Sequence, residues 1–353
     1  MAYTTIDNPE LYFQTKLYTG NSTQTAITLD GSENMQPDWV WIKTRSASNG
    51  HTLIDSVRGV TKRLASHNNQ GDVTDSTMFV SFDSDGFTLG SDSNDYTNYN
   101  NQTHAAWCWK AGTTGSGTTT GSGTGKAYSY SVSTDAGFSI VKWVGNGTSG
   151  HTIPHHLGTT PQVVIMKNLD NAITWIVGHK SAGFNKILFL DTNAAAATDS
   201  NAFADTDPTS TVWTMGTGNG GNDNNVNYIG YILSERKGYS KFGSYTGNGN
   251  ADGTFVYTGM KSSFIMLKET SGTSDWSIYD NKREPFNLAD STLEANTSDA
   301  EAEVSGRPID ILSNGFKLRG DSSFTNESGA TYIYMAFAES PFVTSTGIPT
   351  TAR

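Results

Sequence analysis

Charge is scarce in this chain. Asp, Glu, Lys and Arg make up 16% of its 353 residues, against roughly a quarter in ordinary globular proteins. There is no run of Lys or Arg, and the formal net charge is −11. That balance argues against nucleic acid, whose binding rests on phosphate neutralisation. The one cysteine, Cys108, rules out an intrachain disulfide; within AAWCWKA it reads as a small core residue. No apolar run approaches the roughly 20 residues of a membrane span, so no membrane insertion is expected. The opening MAYTTIDNPELYFQ lacks the basic start and apolar stretch of a signal peptide. Nucleophile elbows, phosphate loops and HExxH helices are also missing. The reading is a non-enzymatic protein with no cofactor.

What fills the gap is Gly, Ser, Thr and Asn, together with 16 Phe, 15 Tyr and 8 Trp. Aromatic wealth of this order argues against disorder, because disordered chains lack the apolar surface that offsets chain entropy. An all-β, loop-rich fold is the expectation.

The aromatic residues recur in a pattern. KLYTGN at Lys16 returns as KWVGNG at Lys142 and as SYTGNG at Ser244. After each Gly-Asn turn comes an apolar run ending in Lys: PDWVWIK (37–43), PQVVIMK (161–167) and SSFIMLK (262–268). Each copy then closes with a continuous apolar run, HAAWCWK (104–110), YIGYILSE (228–235) or YIYMAFAE (332–339). Such runs fit strands buried on both faces. Self-similarity of this kind signals a duplicated structural unit. Several short strands per hundred residues point to β-sandwiches, here three tandem, jelly-roll-like repeats. Trp39, Trp41, Trp107 and Trp109 are expected in the first core or its interfaces.

The predicted boundaries are repeat 1 over 1–111, a Gly/Ser/Thr linker over 112–126, repeat 2 over 127–236, repeat 3 over 237–342 and a C-terminal arm over 343–353. The linker is expected to be flexible by composition. Repeats 2 and 3 adjoin without one, so they should pack as a rigid pair.

Two motifs carry weak metal signals. Asp83 and Asp85 in FDSDGFTLG resemble a calcium loop, but further oxygen ligands and a closing Glu do not follow. Asp/Asn-Gly-aromatic at the same place in repeat 3 (SNGFKL) favours a two-residue hairpin turn. His151, His155 and His156 in HTIPHHLG lack a Cys or carboxylate partner, so a surface turn is favoured over zinc. The loops before the closing strands differ among repeats, as expected where a scaffold carries variable contacts. Their candidate contact residues for glycans or partners are Tyr96, Asn98, Tyr99, Asn100, Asn222, Asn224 and Phe324. Tyrosine rings stack while asparagines hydrogen-bond, the pairing also used by antibody paratopes. A solvated loop, or one packed on a neighbouring subunit, is the alternative.

Taken together, YFQTKLYTGN, QPDWVWIK, DSVRGVTK, SFDSDGFTLG, KGYSKFGSYTGNGNADGTFVYTG and TYIYMAFAESPF resemble a family of virion structural proteins. Its members belong to tailed phages of marine bacteria and cyanobacteria, often of tail-fibre or receptor-binding type. The resemblance runs along essentially the whole chain and is weakest in repeat 2. It implies a virion component with other capsid or tail proteins as partners; a virion-surface location is the expectation, and the loop tyrosines and asparagines add a host-surface glycan as a further expected partner. It brings no catalytic residues. A tail-fibre or adhesin module is the first reading, a capsid decoration or head-fibre protein the second, and a glycan depolymerase the third. A homotrimer is expected from the symmetry of virion appendages.

Overall fold

The computed structural model describes residues 2–350 apart from Ser93, Asp95 and Asn219. The three Lys-ending runs become the strands Trp39–Thr44, Val163–Asn168 and Met260–Glu269. Each pairs on one side with a short strand: Thr52–Asp55, Ile176–His179 or Ser277–Asp280. On the other side lies the closing strand, Thr103–Trp109, Asn227–Leu233 or Thr331–Pro341. The opening strands Phe13–Thr19, Phe138–Val144 and Ser240–Thr246 flank the closing strands in turn. All of this pairing is antiparallel, and the same strand order recurs three times. The protein is nearly all β; its described helices are a short α-helix, Ser200–Phe203, and a single 3-10 turn, Pro9–Leu11.

The apolar runs are continuous because both faces of these strands are covered. Val40 and Ile42 face a core beneath the small sheet of Thr25–Ile27, Gly86–Leu89 and Phe79–Asp83. Trp39 and Trp41, on the opposite face, enter a core shared with the other two sets. The second set alternates likewise, with Val164 and Met166 outward and Val163 and Ile165 inward, and the third places Phe264 and Met266 inward. At the centre, Trp39 stacks on Tyr231 with ring centroids 4.3 Å apart, and Phe13 stacks on Phe337 at 5.4 Å. Only about 10 Å³ of void remains among Trp39, Trp109, Ile165, Phe264 and Phe337. The expected placement of Trp39, Trp41, Trp107 and Trp109 at the core is observed.

The three sets are joined in a ring. Backbone N–H groups of Asp72, Ala196 and Glu301 donate to the carbonyls of Leu169, Thr270 and Arg45, at 2.7, 3.0 and 2.8 Å. The first bond joins set 1 to set 2, the second joins set 2 to set 3, and the third returns from set 3 to set 1. Ring nitrogens repeat the circuit: Trp175 Nε1 donates to Ala65 O, Trp276 Nε1 to Phe189 O and His51 Nε2 to Glu294 O, at 2.8–2.9 Å. His51 Nδ1 accepts from Trp41 Nε1, which leaves the proton on Nε2 for Glu294. Sets 2 and 3 are therefore not a separate rigid pair, because all three sets share one core and one circuit of bonds.

Two further expectations change. The 112–126 segment is not a loose linker: Thr113–Thr118 pairs with Ala127–Ser133, extending the second large sheet, and Thr120–Gly121 pairs with His151–Pro154. Composition suggested flexibility, but Thr119 is buried and its hydroxyl accepts from the Lys126 N–H. In the C-terminal segment, Val343 bridges to Pro349, and Ser345 is held by Asp7. That segment folds back rather than extending, and residues 351–353 of the expected arm lie outside the described residues.

Candidate functional site: the braced loop rim

The recurring aromatic-x-Gly-Asn motif has a structural role at the loops that precede the closing strands. In the first loop, Asn98 Oδ1 accepts from Asn21 N at 2.9 Å, and its Nδ2 donates to Thr23 O and Gly90 O. Asn222 repeats this with Asn146 N, Thr148 O and Gly216 O. Asn326 does so with Asn248 N, Asn250 O and Gly320 O. The motif's aromatic residue binds the carbonyl just before each brace: Tyr18 to Thr97, Trp143 to Gly221 and Tyr245 to Thr325. Its glycine is required by close approach, since a Cβ on Gly20, Gly145 or Gly247 would lie 2.2–2.3 Å from a loop carbonyl oxygen.

Asn98 and Asn222, expected as contact residues, are therefore corrected: both are buried, Asn98 holding backbone groups and Asn222 backbone groups and the His151 ring. Sequence reasoning missed Asn326, although each brace stands five residues before its closing strand. Loop variability hid this shared offset.

Two residues ahead of the braces, Tyr96 and Phe324 occupy equivalent places. Arg63 lies over the Tyr96 ring at 4.1 Å and Arg307 over the Phe324 ring at 3.5 Å. Both rings are half-buried under cations and are not free stacking platforms, which corrects that expectation. Desolvation pushes the nearby Asp75 carboxyl up, but hydrogen bonds from Thr77 and Asn94 and the Arg63 charge outweigh it and hold it low. Tyr99, Asn100 and Asn224 remain exposed on the rim.

The histidines do not converge. His151 is buried between Asn222 Oδ1 (2.8 Å) and Thr119 Oγ1 (2.6 Å). His155, also buried, bonds Thr209 O and the Leu157 N–H. His156 stacks on Tyr130 at 3.8 Å and bonds the Tyr128 hydroxyl. The surface-turn expectation is corrected for His151 and His155; each imidazole is already committed to its own partners. Asp83 and Asp85 lie at a two-residue turn between Phe79–Asp83 and Gly86–Leu89, with Gly86 at φ +103°. Asp83 accepts from the Ser81 and Thr88 hydroxyls, and Asp85 from Met35 N. No group of three or more His, Cys, Asp or Glu able to hold a metal ion occurs among the described residues.

Other ionisable groups are spent on architecture. Lys43, Lys167 and Lys268 are fully buried, and burial pushes each ammonium down to about 8. Each donates to the carbonyl of the next residue, Thr44, Asn168 or Glu269. Lys167 and Lys268 also reach the preceding set, at Asn69 O and Asn193 O. Buried Asp55 and Asp280 pair with Arg58 and Arg283, and accept from Tyr231 and Trp107 across set boundaries. Burial raises the Cys108 thiol, in keeping with a core residue. No helix among the described residues is long and apolar enough to cross a membrane.

No curated protein matches the chain. Over residues 8–341, spanning all three strand sets, the chain belongs to the family described as a domain of unknown function (DUF7483).

Proposed function

We propose that the protein is a non-enzymatic virion surface protein built of three tandem β-sandwich repeats, a trimer fused into one chain. On this reading it serves as a tail-fibre or adhesin module that touches host-surface glycans. The observation that carries the reading is the closed circuit of equivalent bonds linking Asp72 to Leu169, Ala196 to Thr270 and Glu301 to Arg45. A threefold arrangement held within one chain suits seating on a particle's symmetry element, where appendages commonly use separate copies. Sequence resemblance to virion structural proteins of tailed phages supports the location. The architectural bonds held by buried Asp55, Asp280, His51, His151, Lys43, Lys167 and Lys268 support a non-catalytic role. On this reading the three strand sets supply, within one chain, the threefold that a homotrimer would otherwise provide.

Capsid decoration is the second reading. Loops braced by buried asparagines, with rings sealed under Arg63 and Arg307, are built for rigidity as much as for contact. A particle carrying Tyr99→Ala, Asn100→Ala and Asn224→Ala together separates the two, because all three positions are exposed. The adhesin reading expects slower adsorption to host cells with intact particle assembly and an unchanged melting temperature. Unchanged adsorption, with the labelled protein imaged on the capsid shell, would replace it with decoration.

A further inference from the structure

The second strand set breaks the pattern of the other two at one place. Where Tyr96 and Phe324 stand two residues before their braces, the second loop has Gly220, two before Asn222. The cation is missing as well. Arg63 pairs with Val73 as Ile187 pairs with Ala197, so Ile187 holds the arginine's position. The acid of the group remains: Asp199 follows Thr198 as Asp75 follows Thr74. A cleft of about 310 Å³ opens here, with Ala172, Ile176, Ile187 and Phe189 on its walls. Among the described residues, Asp199 is the only charged one lining it. One Asp199 oxygen caps the short helix through Asn201 N, leaving the other to accept from outside.

The first set thus fills this site with an aromatic ring, a guanidinium and a carboxylate, while the second keeps only the carboxylate and the apolar walls. The complementary chemistry is an aromatic ring with a cation beside it. The chain exposes an aromatic ring and a cation together on one other loop. Phe286 is 77% exposed, the most exposed large apolar side chain described, and Lys282 on the same loop is also exposed. We propose that the cleft of the second strand set is a docking site for the Lys282–Phe286 loop of a second copy of this chain. Phe286 enters between Ile176, Ile187 and Phe189, and Lys282 meets Asp199. The contact is heterologous, joining different surfaces on the two copies.

Sedimentation velocity of the purified chain, from low to tens of micromolar, tests this. The expected wild-type result is a mass that climbs above the monomer with concentration. Phe286→Ser removes the ring, and Ala172→Trp fills the cleft from its exposed rim; each is expected to be monomeric with an unchanged melting temperature. Mixed in equal amounts, they should form a one-to-one dimer and nothing larger, since only one open cleft and one intact Phe286 remain. Asp199→Asn keeps the helix cap and should weaken association about tenfold, about 1.4 kcal/mol. A wild-type chain that stays monomeric overturns the proposal. So does association that persists in both single variants, or a mixture that stays monomeric.

Discussion

Trp175 donates its indole N–H to the carbonyl of Ala65 at 2.9 Å, across the boundary between the second and first strand sets. Trp276 makes the same bond to Phe189, and His51 makes it to Glu294. An imidazole thus replaces an indole at the third corner because both present a ring N–H at a similar reach. Replacing Trp276 by Phe keeps most of the ring but removes the short bond to Phe189 O, leaving that carbonyl a 3.5 Å contact from Thr192 N. The expected loss is about 1–3 kcal/mol, read as a lower denaturation midpoint with an unchanged m-value.

The shared core has a consequence for cooperativity. Trp39, Phe264 and Ile165 pack in one cluster drawn from all three sets, so no set buries its inner face alone. Calorimetry of the full chain should show one transition. The isolated 127–236 segment exposes Ile140, Ile165, Val177 and Tyr231 and is expected to aggregate or bind hydrophobic dye. A monomeric, well-dispersed NMR spectrum from that fragment would count against a shared core.

The brace asparagines should be among the most sensitive polar positions. Asn98→Ala leaves the Asn21 N–H and the Gly90 carbonyl without their partner, while the exposed Thr23 carbonyl keeps the Thr25 hydroxyl. Orphaned buried groups cost about 1–3 kcal/mol, so a loss near the upper end is expected. By contrast, Asn100→Ala on the exposed rim should stay within about 0.5 kcal/mol. Equal effects at the two positions would refute the assignment of Asn98 as a brace.

Much of this architecture was legible because burial on both faces leaves a plain mark, the Lys-ending and closing apolar runs. The hairpin at Asp85-Gly86 was legible for the same kind of reason, since a left-handed glycine is a local requirement. What stayed hidden was whatever depends on distant partners. Asn98 looks like any loop asparagine until Asn21 and Gly90 are brought beside it. The 113–118 strand has the composition of a linker, and only pairing with Ala127–Ser133 orders it. Tyr96 offered a ring, but nothing local announced that Arg63 would cover it.

Burial of bases sets the pH response, and its sign is the same for the histidines and the lysines. Desolvation pushes His67, His104, His155 and His179 down to about 4, against about 6.5 when unfolded. Between those values the unfolded chain binds more protons, so stability falls as pH drops from 6.5 to 4. At the alkaline end, Lys43, Lys167 and Lys268 titrate near 8 when folded and near 10.4 when unfolded. The unfolded chain again binds the extra protons, so these lysines make stability rise from pH 8 towards 10. Above 10 the trend reverses, because buried Tyr231 and Tyr245 ionise far less readily than unfolded tyrosines. Each lysine contributes at most about 1.4 kcal/mol per pH unit to the rise. Lys167→Met strips hydrogen bonds from Asn69 and Asn168 and should lower stability at every pH. Its distinguishing mark is a flatter slope between pH 8 and 10, reduced by about one lysine's share in urea midpoints. A slope identical to wild type would mean that Lys167 does not lose its proton in the folded chain.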